Sequence, residues 1–193
     1  MKVLIVGTGG NGQTYFMMFI QKNGIHINNV SDKDRHKHPA KPEGFVEAYD
    51  KIIFLYNDPF KSVLSHFRRK WAWIQLNKLG NPNKLKEENL SDVDTFLRII
   101  RDRKRDLYGI EEQFMSWYNA ELNKPIMFLN FEDVINRKHE IEKFLETRLN
   151  WDIYKVQERF TKIVSNDIYS DCQQIYVQLY KKQKMLDEKR RKK

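Results

Sequence analysis

The chain has 193 residues, 40% hydrophobic and 32% charged, which suits one globular domain with a buried core and a heavily charged surface. Its single cysteine, Cys172, excludes an intrachain disulfide and a Cys-rich metal site, and fits a reducing, cytoplasmic setting. The formal net charge of +9 is concentrated in residues 181–193, which hold eight Lys or Arg and two acidic residues, leaving only about +3 for the rest.

The expected organisation is therefore a single domain over 1–180 followed by a basic, solvated tail over 181–193. No aromatic residue interleaves the last ten positions, so nucleic acid is not an expected partner. The apolar run after Met1 is too short for a signal peptide and breaks into glycines. No apolar stretch reaches the roughly 18 residues of a membrane span, so no membrane partner is expected.

In chain order, Val3 to Val6 is a short β-branched run that reads as a buried strand. It ends in Gly7-Thr8-Gly9-Gly10-Asn11-Gly12, and a helix is predicted from Gln13 to Lys22. Residues 25–30 make a poor strand, and 31–44 a polar loop with Pro39, Pro42 and Gly44. Lys51 to Tyr56 is a second buried strand, closed by Asn57-Asp58-Pro59.

Phe60 to Leu76 reads as one helix in which Phe67, Trp71, Trp73 and Ile74 pack the core. Ser91 is placed to cap a helix through Ile100 into the charged stretch Arg101 to Arg105, itself a solvated face. Ile110 to Glu121 and Glu140 to Leu149 read as helices around a third strand, Ile126 to Asn130. From Lys155 onward the pattern is helical, with a break near Asn166-Asp167. Strands alternating with helices predict an α/β fold of three layers, a mainly parallel sheet flanked by helices.

Gly7 to Thr14 has the spacing of a P-loop except that Gln13 stands where that pattern has lysine. Its glycines let successive N–H groups point into one anion-binding hollow at a helix N-terminus, and Thr14 adds a hydroxyl. The same residues satisfy the G-x-G-x-x-G spacing of a dinucleotide loop. That alternative asks for an acidic residue closing the second strand, with Asp32 or Asp34 near the right distance. A plain connecting turn is the third reading, though four glycines in six residues are costly without a ligand that needs backbone access.

Four ordered segments resemble the cytosolic sulfotransferase family. Gly10-Asn11-Gly12-Gln13-Thr14-Tyr15 is similar to its loop for the 5′-phosphosulfate of 3′-phosphoadenosine 5′-phosphosulfate (PAPS). Lys37-His38-Pro39 is similar to its Lys-x-His-x-Pro segment. Asn57-Asp58-Pro59, with Ser65 and Phe67, resembles the strand-turn-helix that holds the 3′-phosphate. Tyr108-Gly109, Trp117-Tyr118 and the strand ending in Phe131-Glu132-Asp133 follow in the family's order.

This resemblance, over about residues 3 to 150, implies a P-loop fold and a PAPS-dependent transfer of a sulfuryl group to a hydroxyl or amine. A small molecule or carbohydrate is the implied acceptor, bound beside His38 between the early loop and the helices after Ser91. It further implies that Asn11 to Thr14 hold the phosphosulfate, Tyr15 lies by the adenine, Asn57 and Ser65 meet the 3′-phosphate, and His38 is the general base.

Two positions depart from the family. Gly10 stands where it has a lysine or arginine, and Asn57 where it has an arginine, so two charges on the donor are missing. Lys37, Lys41, Arg68 and Arg69 are the cations that other segments have to offer. A sulfotransferase-like binding protein without turnover is therefore the alternative. A small-molecule kinase using Mg²⁺ and ATP ranks third, with Gln13 in place of the loop lysine and only Asp58 to serve a metal. Glu132 and Asp133 lack companions at ligand spacing, so no metal site is expected; Cys172 is read as inert packing.

Overall fold

The computed structural model describes residues 1–10, 12–155 and 167–192. The elements, in order, are β1 (Lys2–Gly7), α1 (Gln13–Lys22), β2 (His26–Ile27), β3 (Lys51–Tyr56), α2 (Pro59–Arg68) and α3 (Ala72–Lys78). They continue as α4 (Val93–Arg103), α5 (Ile110–Tyr118), β4 (Ile126–Asn130), α6 (Lys138–Leu145) and α7 (Asp167–Arg191), with short 3₁₀ turns between.

The four strands form one all-parallel sheet in the order β2-β1-β3-β4. Alternate side chains explain why the strands read as unbroken apolar runs. Val3, Ile5, Ile53 and Leu55 pack against Phe16, Ile20 and Ile141 on one face. Leu4, Val6, Ile52 and Phe54 meet Phe114 and Trp117 on the other. Both faces are covered by helices, so the protein is a three-layer parallel α/β fold. A further apolar cluster joins α2, α3, α4 and the start of α7.

Strand β2 is cut to two residues because Asn28 takes over the pairing. Its Oδ1 accepts from the Ile5 N–H at 2.8 Å and its Nδ2 donates to the Ile5 carbonyl at 3.1 Å. The side-chain amide thus continues the ladder that the backbone leaves.

The helix expected from Phe60 to Leu76 is two helices. Lys70 adopts φ 58°, the Lys70 N–H donates to the Phe67 carbonyl, and the Trp71 N–H donates to the His66 carbonyl at 2.9 Å. These are the paired bonds of a Schellman stop. The new direction leaves Trp71 54% and Ile74 55% exposed, overturning their expected place in the core, while Phe67 and Trp73 remain partly buried. Helix α4 is capped by Asp92 rather than Ser91: the Asp92 carboxylate accepts from the Thr95 N–H at 2.8 Å and the Thr95 hydroxyl at 2.6 Å. Helices α5 and α6 are shorter than expected, ending at Tyr118 and Leu145.

The basic C-terminal stretch continues α7 through Arg191, with Gln183 and Asp187 buried. Asp187 accepts from the Tyr56 hydroxyl at 2.9 Å and from Arg137 Nη1 at 3.0 Å, while the Arg190 guanidinium lies over Phe128. Residues 181–191 are thus docked on the sheet instead of forming a solvated tail. The break expected at Asn166 lies outside the described residues. Among the described residues, no helix is long and apolar enough to cross a membrane.

Candidate functional site

From β1 the chain crosses to β2 on one side and then to β3 on the other, so the crevice between the C-terminal ends of β1 and β3 is the sheet's topological switch point. Ligands of open α/β folds bind at such a point. The glycine-rich loop leaves β1 there, the segment 37–39 flanks it, and α2 begins beside it.

Gly10 (φ 69°) and Gly12 (φ 83°) give the loop its curvature, and close packing reserves both positions for glycine. A Cβ on Gly10 would lie 2.8 Å from the Ser62 carbonyl, and one on Gly12 would lie 2.3 Å from the Phe131 ring. Asn11, an expected phosphate contact, lies outside the described residues.

Gln13 begins α1 with its side chain turned inward, where its Nε2 donates to the Ile5 carbonyl at 3.0 Å and the Lys37 carbonyl at 3.1 Å. Its amide ties the loop to β1 and to the His-Pro segment, a structural task unlike that of a P-loop lysine. The cation at this end of α1 comes from Lys37, whose Nζ donates to the Thr14 hydroxyl at 2.7 Å and the Val30 carbonyl at 2.8 Å. Thr14 accepts that bond and so keeps its own proton for an anion. Lys37 is only 5% exposed, and burial lowers its pKa to about 8 against the opposing pull of Asp32.

His38 is half-buried, and its Nδ1 lies 2.8 Å from the Gly7 carbonyl. Burial holds it well below the usual histidine range, with the Gly7 carbonyl pulling the other way. The neutral ring donates from Nδ1, which leaves Nε2 as the acceptor. The segment is fastened from behind: the Pro39 carbonyl accepts from Gln113 Nε2 at 2.9 Å and Trp117 Nε1 at 3.3 Å. Gln75 Nε2 holds the Thr8 carbonyl at 2.8 Å, and the Thr8 hydroxyl donates to Gln113 at 2.9 Å.

Across the loop, α2 and its C-cap present Ser62, Ser65, His66 and Arg69, a polar stripe at helical spacing on a face that is buried as far as His66. His66 is a site residue that the sequence reading missed; the signal available was this stripe beside the apolar Phe60, Val63 and Leu64. Ser65, expected at the 3′-phosphate, is on the stripe and buried. Asn57 has a local role, its Oδ1 accepting from the Asp58 N–H at 2.7 Å. Asp58 in turn caps α2, its Oδ1 accepting from the Phe60 and Lys61 N–H groups, so one oxygen of the carboxylate the kinase reading had for a metal is engaged in the cap. Tyr15 packs on Tyr154, ring centroids 5.2 Å apart, at the edge of the core.

The expected site residues therefore divide. Gly9 and Gly10 lie against His38 and His66, and Lys37 bonds Thr14 at the end of the same loop, whereas Gly12 lies against Phe131 and Ser65 is buried on α2 one residue before His66. Gln13 and Asn57 are spent on local structure. Of the other candidate cations, Lys41 and Arg68 are exposed, whereas Arg69 lies near enough to act on both Lys37 and His66. Asp32 sits in the loop beyond β2, its carboxylate taken by Lys78 Nζ and the Lys37 N–H, while Asn28 closes the strand; the acidic residue that a dinucleotide loop needs is absent from that place. Glu132 accepts from the Tyr180 hydroxyl and pairs with Lys61, and among the described residues no three His, Cys, Asp or Glu side chains converge. Compared with protein-family models, curated proteins and solved structures, the chain has no match.

Proposed function

We propose that the crevice between β1 and β3 binds PAPS, and that the protein transfers its sulfuryl group to a hydroxyl or amine of a small-molecule or carbohydrate acceptor. The observation that carries this reading is the Lys37 ammonium seated on Thr14 at the first turn of α1, at the end of the glycine loop. A fixed cation, a hydroxyl and a helix N-terminus together suit a sulfate or phosphate ester.

The loop from Gly9 to Thr14 and Lys37 would hold the phosphosulfate end, and Ser65 lies on the helix nearest to them. The donor would supply an activated sulfuryl group and a phosphate leaving group. His38 supplies the base: Nε2 takes the acceptor's hydroxyl proton as the acceptor oxygen bonds to sulfur and the sulfur–phosphate oxygen bond breaks. Holding Nδ1 on the Gly7 carbonyl fixes the tautomer that this step needs. The test is transfer of labelled sulfuryl from PAPS to a panel of hydroxyl and amine acceptors. Expected is turnover that falls by roughly 10²–10⁴-fold in His38→Ala.

One feature favours the second reading, a binding protein without turnover. Burial leaves His38 a weak base, and no loop lysine offsets charge on the leaving group. That reading expects donor binding with no transfer to any acceptor, and His38→Ala without effect on affinity.

A further inference from the structure

His66 is 2% exposed, and its ring stacks on Tyr108 with centroids 5.4 Å apart and planes 22° off parallel. Neither ring nitrogen has a hydrogen-bond partner, although both are buried; the Gly9 carbonyl comes near without closing a bond of ordinary geometry. Buried polar groups are nearly always paired, so an orphaned imidazole beside the glycine loop asks for a ligand. Its Nε2 is aimed at the loop. It lies 3.0 Å from the point that a Cβ on Gly10 would occupy and 3.2 Å from the same point on Gly9, where His38 Cε1 also arrives at 3.0 Å. Two glycines in succession let the loop backbone approach this nitrogen.

We propose that His66 is a neutral hydrogen-bond donor, through Nε2–H, to the tetrahedral oxyanion of a phosphate or sulfate ester held by the loop. The assignment rests on the proposed reading of the loop glycines and Thr14 as an oxyanion hollow. The groups facing the ring explain why the donor is neutral. His38 approaches from the segment before Pro39, Arg69 from the C-cap of α2, the Gly9 carbonyl from the loop, and Tyr108 from the turn before α5. Burial foremost, with His38 and Arg69, keeps the ring uncharged down to about pH 3. A neutral donor contributes equally across the physiological range, whereas a histidinium would strengthen binding as pH fell.

Sodium sulfate is the suitable probe, because it stays a dianion from pH 6.0 to 7.5. The full chain is titrated calorimetrically at both pH values as wild type, His66→Gln and His66→Phe, with circular dichroism to check folding. Expected is wild-type affinity with little pH dependence, a loss of about tenfold in His66→Phe at both pH values, and most of that affinity kept in His66→Gln, which retains a donor. Wild-type affinity in His66→Phe overturns the inference but leaves the oxyanion hollow standing. A pH-dependent gain that His66→Phe abolishes overturns the neutral donor, and wild type that ignores sulfate removes hollow and inference together. Should His66→Phe not fold, the Nε2–H proton resonance of His66 in wild type decides: it moves on adding sulfate if the assignment holds and stays in place if it does not.

Discussion

Lys37 and Thr14, 23 positions apart, are joined by a 2.7 Å hydrogen bond from the ammonium to the hydroxyl. The bond places a positive charge at the N-terminal turn of α1, in a chain whose glycine-rich loop carries Gln13 and no lysine. Burial of that charge is what lowers the Lys37 pKa to about 8, so the ammonium is charged below that pH and neutral above it.

Anion binding is expected to follow that titration. Sulfate affinity should be flat from pH 6 to 7.5 and decline as pH rises past about 8, because the proton lost is the one that carries the charge. Lys37→Met should lose roughly tenfold or more in affinity at pH 7 and show no decline above pH 8. Calorimetric titrations at pH 7 and 9.5 check both.

His66 sets an acid limit on stability. Its folded pKa of about 3 lies below the usual 6.5, so between these values the unfolded chain binds the proton that the folded one refuses. The folded state therefore loses nothing above pH 6.5 and is progressively penalised below it, by about 2 kcal/mol at pH 5. Urea unfolding at pH 7 and pH 5 should show at least that loss in wild type, with His38 adding to it, and a smaller one in His66→Phe, which keeps the stack on Tyr108 without the titrating nitrogens.

Gly7 is where the loop meets the sheet. A Cβ there would stand 2.1 Å from the Leu55 carbonyl, a backbone atom of the neighbouring strand with no freedom to turn aside. Gly7→Ala should therefore cost about 3 kcal/mol or more, measured by chemical denaturation.

The end of α7 makes a prediction about the basic stretch. Asp187, 2% exposed, pairs with the buried Arg137 and accepts from Tyr56. Deleting residues 181–193 leaves Arg137 without that partner, and stability should fall by about 3–5 kcal/mol. A free tail would leave the melting temperature unchanged.

How much of this was legible follows from where the information lies. β3, β4 and α1 have the bounds expected of them, because each is a local pattern of apolar residues closed by polar ones. The break at Lys70 was hidden since Arg69-Lys70-Trp71 contains neither Gly nor Pro, and the stop is made by backbone bonds that any residue provides. Lys37 was only one of several loop cations, and its choice depends on the packing of 31–39 over α1. The polar stripe that ends α2 was written in the sequence, yet only Ser65 and Arg69 were read from it. Charge composition concealed the docking of α7, where Gln183 and Asp187, one turn apart, are buried among seven lysines and arginines between 181 and 192.

The most direct measurement is calorimetric binding of 3′-phosphoadenosine 5′-phosphate against ATP with Mg²⁺, at moderate salt so that surface lysines contribute little. Sub-millimolar affinity for the bisphosphate, tighter than for ATP and weakened by Lys37→Met, is the expected result. Preference for ATP, or no sub-millimolar binding of either, would contradict the donor assignment.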